Sequence, residues 1–264
     1  MLAGPPNHPV DVPTSVRRII GARSFEVVWL NGLGGLTFRI EDPARNLFLK
    51  WTPTSSGIDL DAERSRMNWA RTFTPVPRVI EAGNDEYGSW MMSEEMGADH
   101  AASKRATADP RNSSIAVGLG LRALHDALPV ATCPFDWSAR RRRHDVAARA
   151  ASGELDSVQW GEGFDGPDLD SALVELADIP NEDLVVCHGD ACVPNTVIDD
   201  AGNWVAHVDL GNLGVGDRWA DLAVASWSTI WNYGAGWEAA LYDSYGIAPD
   251  EEKIRFYRIL WGLE

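Results

Sequence analysis

The sequence predicts an α+β chain of two unequal lobes: a small antiparallel β lobe with one helix, then a larger, mainly helical lobe. Three observations carry that expectation. Short runs rich in β-branched and aromatic residues crowd the first 96 residues, and helical periodicity dominates from residue 97 onward. The stretch Glu94-Glu95-Met96-Gly97 marks the change between the two patterns. Strands first and helices after is the order expected of an α+β chain.

Taken in order, Phe25–Leu30 and Leu36–Ile40 are short β-rich runs joined by the glycine-rich turn Asn31-Gly32-Leu33-Gly34-Gly35. Residues 46–51 (NLFLKW) make a third strand. Residues 60–71 set Leu60, Met67 and Trp69 among charges, which suits a helix packed on a sheet, and Pro75 and Pro77 close it. Residues 78–81 and 89–93 complete five strands. In the second lobe, residues 113–128 carry apolar side chains at helical spacing. Four arginines, Arg140 to Arg143, read as a solvated helix face, and residues 153–170 read as a loop or a mobile helical insert. Strands return at Leu184–Cys187, 195–198 and 204–208, and helices fill most of the chain from Asp217 on.

With 264 residues, 45% hydrophobic and 23% charged, the chain can bury a sizeable core. Its twelve Trp are expected mostly to fill or cover that core. No apolar run approaches the roughly 20 residues needed to cross a bilayer, and the start MLAGPPNHPV lacks a signal pattern, so a cytoplasmic protein is expected. Cys133, Cys187 and Cys192 form no closed disulfide framework and show no zinc spacing. Cys187 reads as a small buried hydrophobe, and Cys192 as a candidate reactive thiol. The net charge of −16 argues against nucleic acid or anionic membrane as partner. It is unevenly placed: 10 Lys/Arg against 12 Asp/Glu up to Met96, then 13 against 27. Such a field attracts a small cationic partner to the second half, or serves only solubility.

The chemistry concentrates in His188-Gly189-Asp190-Ala191-Cys192-Val193-Pro194-Asn195, followed after a hairpin by Asp209-Leu210-Gly211. A strand delivers Asp190 into a loop, where a carboxylate can accept the proton of an attacking alcohol. Asn195 offers a neutral oxygen and Asp209 a charged one, which suits Mg²⁺ bridging nucleotide phosphates. Each tripeptide alone is weak and could mark nothing more than capped turns. The order and spacing together match the catalytic and metal loops of protein kinases, with HGD for HRD and DLG for DFG. Upstream, Lys50 ends an apolar strand and Glu63 on the next helix can reach it, as in the pair that positions nucleotide phosphates. Amides of Gly32, Gly34 and Gly35 could approach phosphates, and backbone groups of Ser93, Glu94, Glu95 and Met96 could bond the base.

From about Lys50 onward the chain resembles the aminoglycoside O-phosphotransferases, especially the 3′ and 3″ resistance types. The likeness is densest in LVVCHGDACVPN and VDLGNLGVGDRWADLA, with support from ERSRMNW, PVPRV, WMMSE, LRALHD and CPFD. The resemblance implies a bilobal protein-kinase-like fold. Its nucleotide-binding lobe spans residues 1–96, a hinge lies near 93–97, and the catalytic and substrate lobe spans 97–264. It implies ATP (or GTP) and Mg²⁺, and phosphoryl transfer to an aminoglycoside hydroxyl, the 3′ type favoured and the 3″ type possible. Carried over, Asp190 is the base, Asn195 and Asp209 hold metal, Lys50 and Glu63 position nucleotide, and His188 and Asp221 support the loop. Acidic residues of the second half, Asp156, Glu162, Asp165, Asp168, Asp170 and Glu264, are candidate ammonium partners.

Three departures stand out. Leu33 occupies the place of a usual serine, Asn212 follows DLG where an arginine is usual, and the chain ends Leu260-Trp261-Gly262-Leu263-Glu264 in place of an acidic clasp. These leave open a kinase of another hydroxylated metabolite, or a non-catalytic kinase-like binding protein.

Overall fold

The computed structural model describes residues 4–6, 8–155 and 158–264. They divide into two units, Met1–Thr72 with Val76–Gly97, and Phe73–Pro75 with Ala98–Glu264. In the first, α1 (Thr14–Ile20) precedes β1 (Phe25–Leu30), β2 (Leu36–Ile40), β3 (Leu47–Pro53), α2 (Leu60–Ala70), β4 (Val79–Asn84) and β5 (Gly88–Glu94). The strands form one antiparallel sheet in the order β1-β2-β3-β5-β4.

Alternation in β2 buries Leu36, Phe38 and Ile40 on one face, where they meet Leu47, Leu49 and Met92. Helix α1, which the sequence reading did not anticipate, caps this cluster with Val16 and Ile20, one turn apart. Seven residues hold too few turns for their periodicity to stand out. Helix α2 begins where the Asp59 carboxylate accepts from the Ala62 amide at 2.9 Å.

The second unit runs β6 (Asp99–His100), α3 (Lys104–Thr107), α4 (Pro110–Ala127), α5 (Ala139–Ser152), α6 (Leu169–Glu175), β7 (Leu184–Cys187), β8 (Thr196–Ile198), β9 (Trp204–His207), β10 (Gly214–Asp217), α7 (Trp219–Tyr233), α8 (Glu238–Tyr245) and α9 (Glu251–Gly262). Helix α7 is its axis. Every residue from Trp219 to Ile230 is buried, so this helix is enclosed nearly all round. Strands β6, β8 and β9 form one small sheet, and β7 pairs with β10 in another. The glycines of β10 conceal it from a propensity reading. Among the described residues, no helix is long and apolar enough to cross a membrane.

One expectation is corrected here. The arginine run is not wholly a solvated face. Arg142 is buried, stacks 4.4 Å from the Trp137 ring centroid and grips Glu264 with two 2.7 Å bonds. Arg149 donates to the Leu263 and Glu264 carbonyls at 3.0 and 2.7 Å. Helix α5 thus clamps the end of α9. The insert is a loop through its described part up to Asp168, and hydrogen bonds hold it. Trp160 Nε1 donates to Pro167 O at 2.8 Å, and Trp227 and Trp231 donate to Glu162 O at 2.7 and 3.0 Å. Gly166 is needed there, because a Cβ would fall 2.3 Å from the Trp160 ring.

Candidate active site

Strand β7 delivers His188, Gly189 and Asp190 past its end, and one buried carboxylate fixes the turn. Asp221 Oδ2 accepts from the His188 amide at 2.6 Å, and Oδ1 accepts from the Gly189 amide at 2.9 Å. Gly189 has φ 88°, and a Cβ there would lie 2.3 Å from the Asn212 carbonyl, so no other residue fits. The His188 ring spans two segments. Its Nε2 bonds Val208 O at 3.0 Å, and its Nδ1 meets the Asp190 amide at 3.3 Å.

Asp221 is itself held by His125 of α4, whose Nε2 lies 2.9 Å from Oδ2 while Nδ1 meets the Tyr245 hydroxyl at 2.8 Å. Burial opposes ionisation of Asp221. Hydrogen bonds and charge from His125, then His188 and the Gly189 amide, outweigh it and hold the pKa below the ordinary aspartate value.

Asp190 is held differently. Asn195 Nδ2 donates to its carbonyl at 2.8 Å and to Oδ2 at 3.2 Å. Oδ1 is buried with no hydrogen-bond partner. Burial, and then the Asp209 charge, push the Asp190 pKa up, against a hydrogen bond from Cys192, the His188 ring and Asn195. The Cys192 thiol is pushed far above its ordinary value by burial and by Asp190. That favours the thiol over the thiolate a reactive cysteine needs, which counts against the reactive-thiol reading.

Asp209 sits between β9 and β10 at φ 64°, the one described non-glycine residue in the left-handed region. An aspartate held in that region is a strained arrangement of the kind found at functional sites. The two amide protons of Asn195 go to Asp190, which turns its Oδ1 to the other side. The Asp209 charge opposing ionisation of Asp190, an orphaned carboxylate oxygen and an amide oxygen make a set of oxygen donors that fits a hard divalent cation.

In the first unit, Lys50 Nζ on β3 meets Glu63 Oε1 on α2 at 2.6 Å, with Glu63 buried. The glycine-rich turn is closed on itself. Amides of Leu33 and Gly35 donate to Asn31 Oδ1 at 3.0 and 2.7 Å, and that of Gly34 to Asn31 O at 3.1 Å. An anion approaching Gly32, Gly34 and Gly35 therefore competes with Asn31. After Ser93, the Glu94 carboxylate pairs with Arg45 and Arg78, and that of Glu95 with Arg39 at 2.7 Å. Their amides bond Arg78 O and Asn46 O, both at 3.0 Å. Met96 follows, partly buried.

A cavity of about 650 Å³ opens beside Asp190 in the second unit, walled by Trp227, Trp231 and Trp261 with Asn212 and Glu264 at its edge. The acidic candidates fare unevenly there. Glu264 lines the cavity but is already paired with Arg142. Glu162 contributes its backbone carbonyl to the two indoles. Asp165 and Asp170 are exposed, and Asp168 caps α6 by accepting from the Ser171 amide at 2.8 Å. Asp156 lies outside the described residues. The tryptophans and His125 were missed as site residues. Trp227 and Trp231 stand four apart on α7, a spacing that puts both on one face, while His125 stood in plain view within LRALHD.

Residues 29–257 match the profile of the phosphotransferase enzyme family. An aminoglycoside 3′-phosphotransferase of Streptomyces ribosidificus is 33% identical over 94% of this chain and 98% of its own length. The crystal structure of an aminoglycoside 3′-phosphotransferase of type VIII superposes with TM-score 0.81 at 30% identity, over 95% of this chain and 97% of the other. A Streptomyces rimosus 3″ aminoglycoside phosphotransferase, solved with ADP and streptomycin, gives TM-score 0.72 at 28% identity, over 94% and 95%.

Proposed function

The chain belongs to the phosphotransferase enzyme family, has its protein-kinase-like α+β fold, and from that premise we propose how it works. It is an ATP-dependent O-phosphotransferase acting on an aminoglycoside hydroxyl, an activity that confers antibiotic resistance by phosphorylating the drug. The observation that carries the mechanism is the Asp190 carboxylate: beside the cavity, fixed through its backbone, with one oxygen left unpartnered.

Asp190 takes the proton of the acceptor hydroxyl, and its raised pKa strengthens it as a base. Asp221 acts through the backbone, presenting Asp190 at a constant angle. Asn195 and Asp209 would hold Mg²⁺, which supplies charge neutralisation at the phosphates when bound. We assign the first unit to the nucleotide. Lys50, oriented by Glu63, holds phosphate oxygens, amides of Gly32, Gly34 and Gly35 reach the phosphates once Asn31 yields, and backbone groups of residues 93–96 meet the base. A need for ATP suits a cytoplasmic enzyme, and a charge of −16 suits a small cationic acceptor over nucleic acid.

The relatives' names support the 3′ hydroxyl. The aromatic cavity wall gives specific support to a 3″ reading. Transfer of phosphate from ATP–Mg²⁺ to kanamycin, neomycin and streptomycin, with product masses recorded, is the test. One added phosphate on any of them is expected. ATP hydrolysis without transfer to any would refute the aminoglycoside reading.

A further inference from the structure

We propose that the acceptor cavity is built for a weakly hydrated cation, a guanidinium or an N-methylated ammonium carried on the sugar substrate, in preference to primary ammonium groups. The inference rests on the aminoglycoside phosphotransferase reading and narrows its substrate class.

The cavity wall is aromatic where an acidic one was expected. Ring centroids of Trp227 and Trp231 lie 4.7 Å apart, those of Trp231 and Trp261 5.6 Å, and those of Trp227 and Trp261 5.8 Å. The N–H groups of Trp227 and Trp231 are already committed to Glu162 O, so these two indoles offer a ligand π surface rather than a donor. Trp227 also carries the Arg258 guanidinium 5.9 Å from its centroid. This leaves the partly exposed Trp231 and Trp261 as the surfaces a ligand can use.

The charges agree. Among the described residues, Glu264 is the one lining carboxylate besides Asp190, and the bidentate bond from buried Arg142 neutralises it. A primary ammonium is a compact, strongly hydrated charge whose water must be replaced by carboxylates, and the described wall supplies none to spare beyond Asp190 itself. A guanidinium is planar, weakly hydrated and stacks on aromatic faces. Methylated ammonium groups are likewise recognised by aromatic cages. Gly262 completes the arrangement, since a Cβ there would fall 2.5 Å from the Trp160 ring that backs the wall.

Streptomycin carries both favoured groups, and kanamycin carries only primary amines. With ATP–Mg²⁺, kcat/KM for streptomycin should exceed that for kanamycin by about 10-fold. Trp231→Leu and Trp261→Leu should each raise the streptomycin KM about 10-fold while the ATP KM holds, and the Phe variants should keep most of the affinity. Kanamycin turning over as well as or better than streptomycin, or an unchanged streptomycin KM in both Leu variants, would overturn this inference and leave the parent reading standing. Transfer to no aminoglycoside overturns both. Should the Leu variants not fold, competition on the wild-type enzyme decides. Methylguanidinium inhibiting more strongly than ethylammonium supports the proposal, and equal or weaker inhibition rejects it.

Discussion

Asp190 and Asp221 flank the same turn, yet their surroundings push the two carboxylates in opposite directions. Asp221 has its oxygens taken by two backbone amides and an imidazole, and its pKa falls. Asp190 keeps one buried oxygen without a partner beside the Asp209 charge, and its pKa rises. The contrast separates a carboxylate that holds the loop from one that is kept reactive. A satisfied buried anion stabilises the fold, and an unsatisfied one is tolerated where chemistry uses it.

Removing the satisfied member should do the most damage. Asp221→Ala strands two amides and His125 in the core, and should cost on the order of 3–5 kcal/mol in denaturant unfolding. A loss under 1 kcal/mol would mean the brace is ornamental. Asp190→Asn should instead cut kcat about 10³-fold without lowering the melting temperature at neutral pH. Turnover near wild type would remove Asp190 as the base.

The two should also part on acidification. Asp221, with its folded pKa below the unfolded one, contributes stability above the ordinary aspartate range and loses it as pH falls through the lower, folded value. Asp190, with its folded pKa raised, weakens the fold at neutral pH and ceases to do so as pH drops through that raised value. The stability gap between Asp190→Asn and wild type should therefore narrow first, before wild type itself loses stability. A gap that widens in acid contradicts the assignment. The smallest effect belongs to His125→Leu. It removes one hydrogen bond to Asp221 and should cost about 1–2 kcal/mol with a modest fall in kcat. A loss matching Asp221→Ala would make the imidazole, not the carboxylate, the centre of the brace.

The parts of the site legible in the chain were those whose partners lie close in sequence. Asp190 and Asn195 are five residues apart, and Lys50 and Glu63 thirteen. The spacing within HGDACVPN already brings the first pair together, and a strand followed by a helix suffices for the second. The acceptor wall was not legible. Trp227 bonds Glu162 across 65 positions, and Arg142 holds Glu264 across 122. Periodicity can say that Trp227 and Trp231 share a face of α7, but not that the insert and the end of α9 arrive beside that face. Helix α1 and strand β10 escaped for a humbler reason, being short and, in β10, rich in glycine.

By itself the sequence determined the α+β order of elements and the residue types needed for phosphoryl transfer, because both are written in local pattern and short spacing. Only the tertiary structure decided which acidic residues remain available to a substrate and which are spent on arginines and helix caps. It decided too that tryptophans wall the acceptor cavity. Charge count is additive along a chain, whereas the charge a ligand meets depends on which side chains packing has already paired.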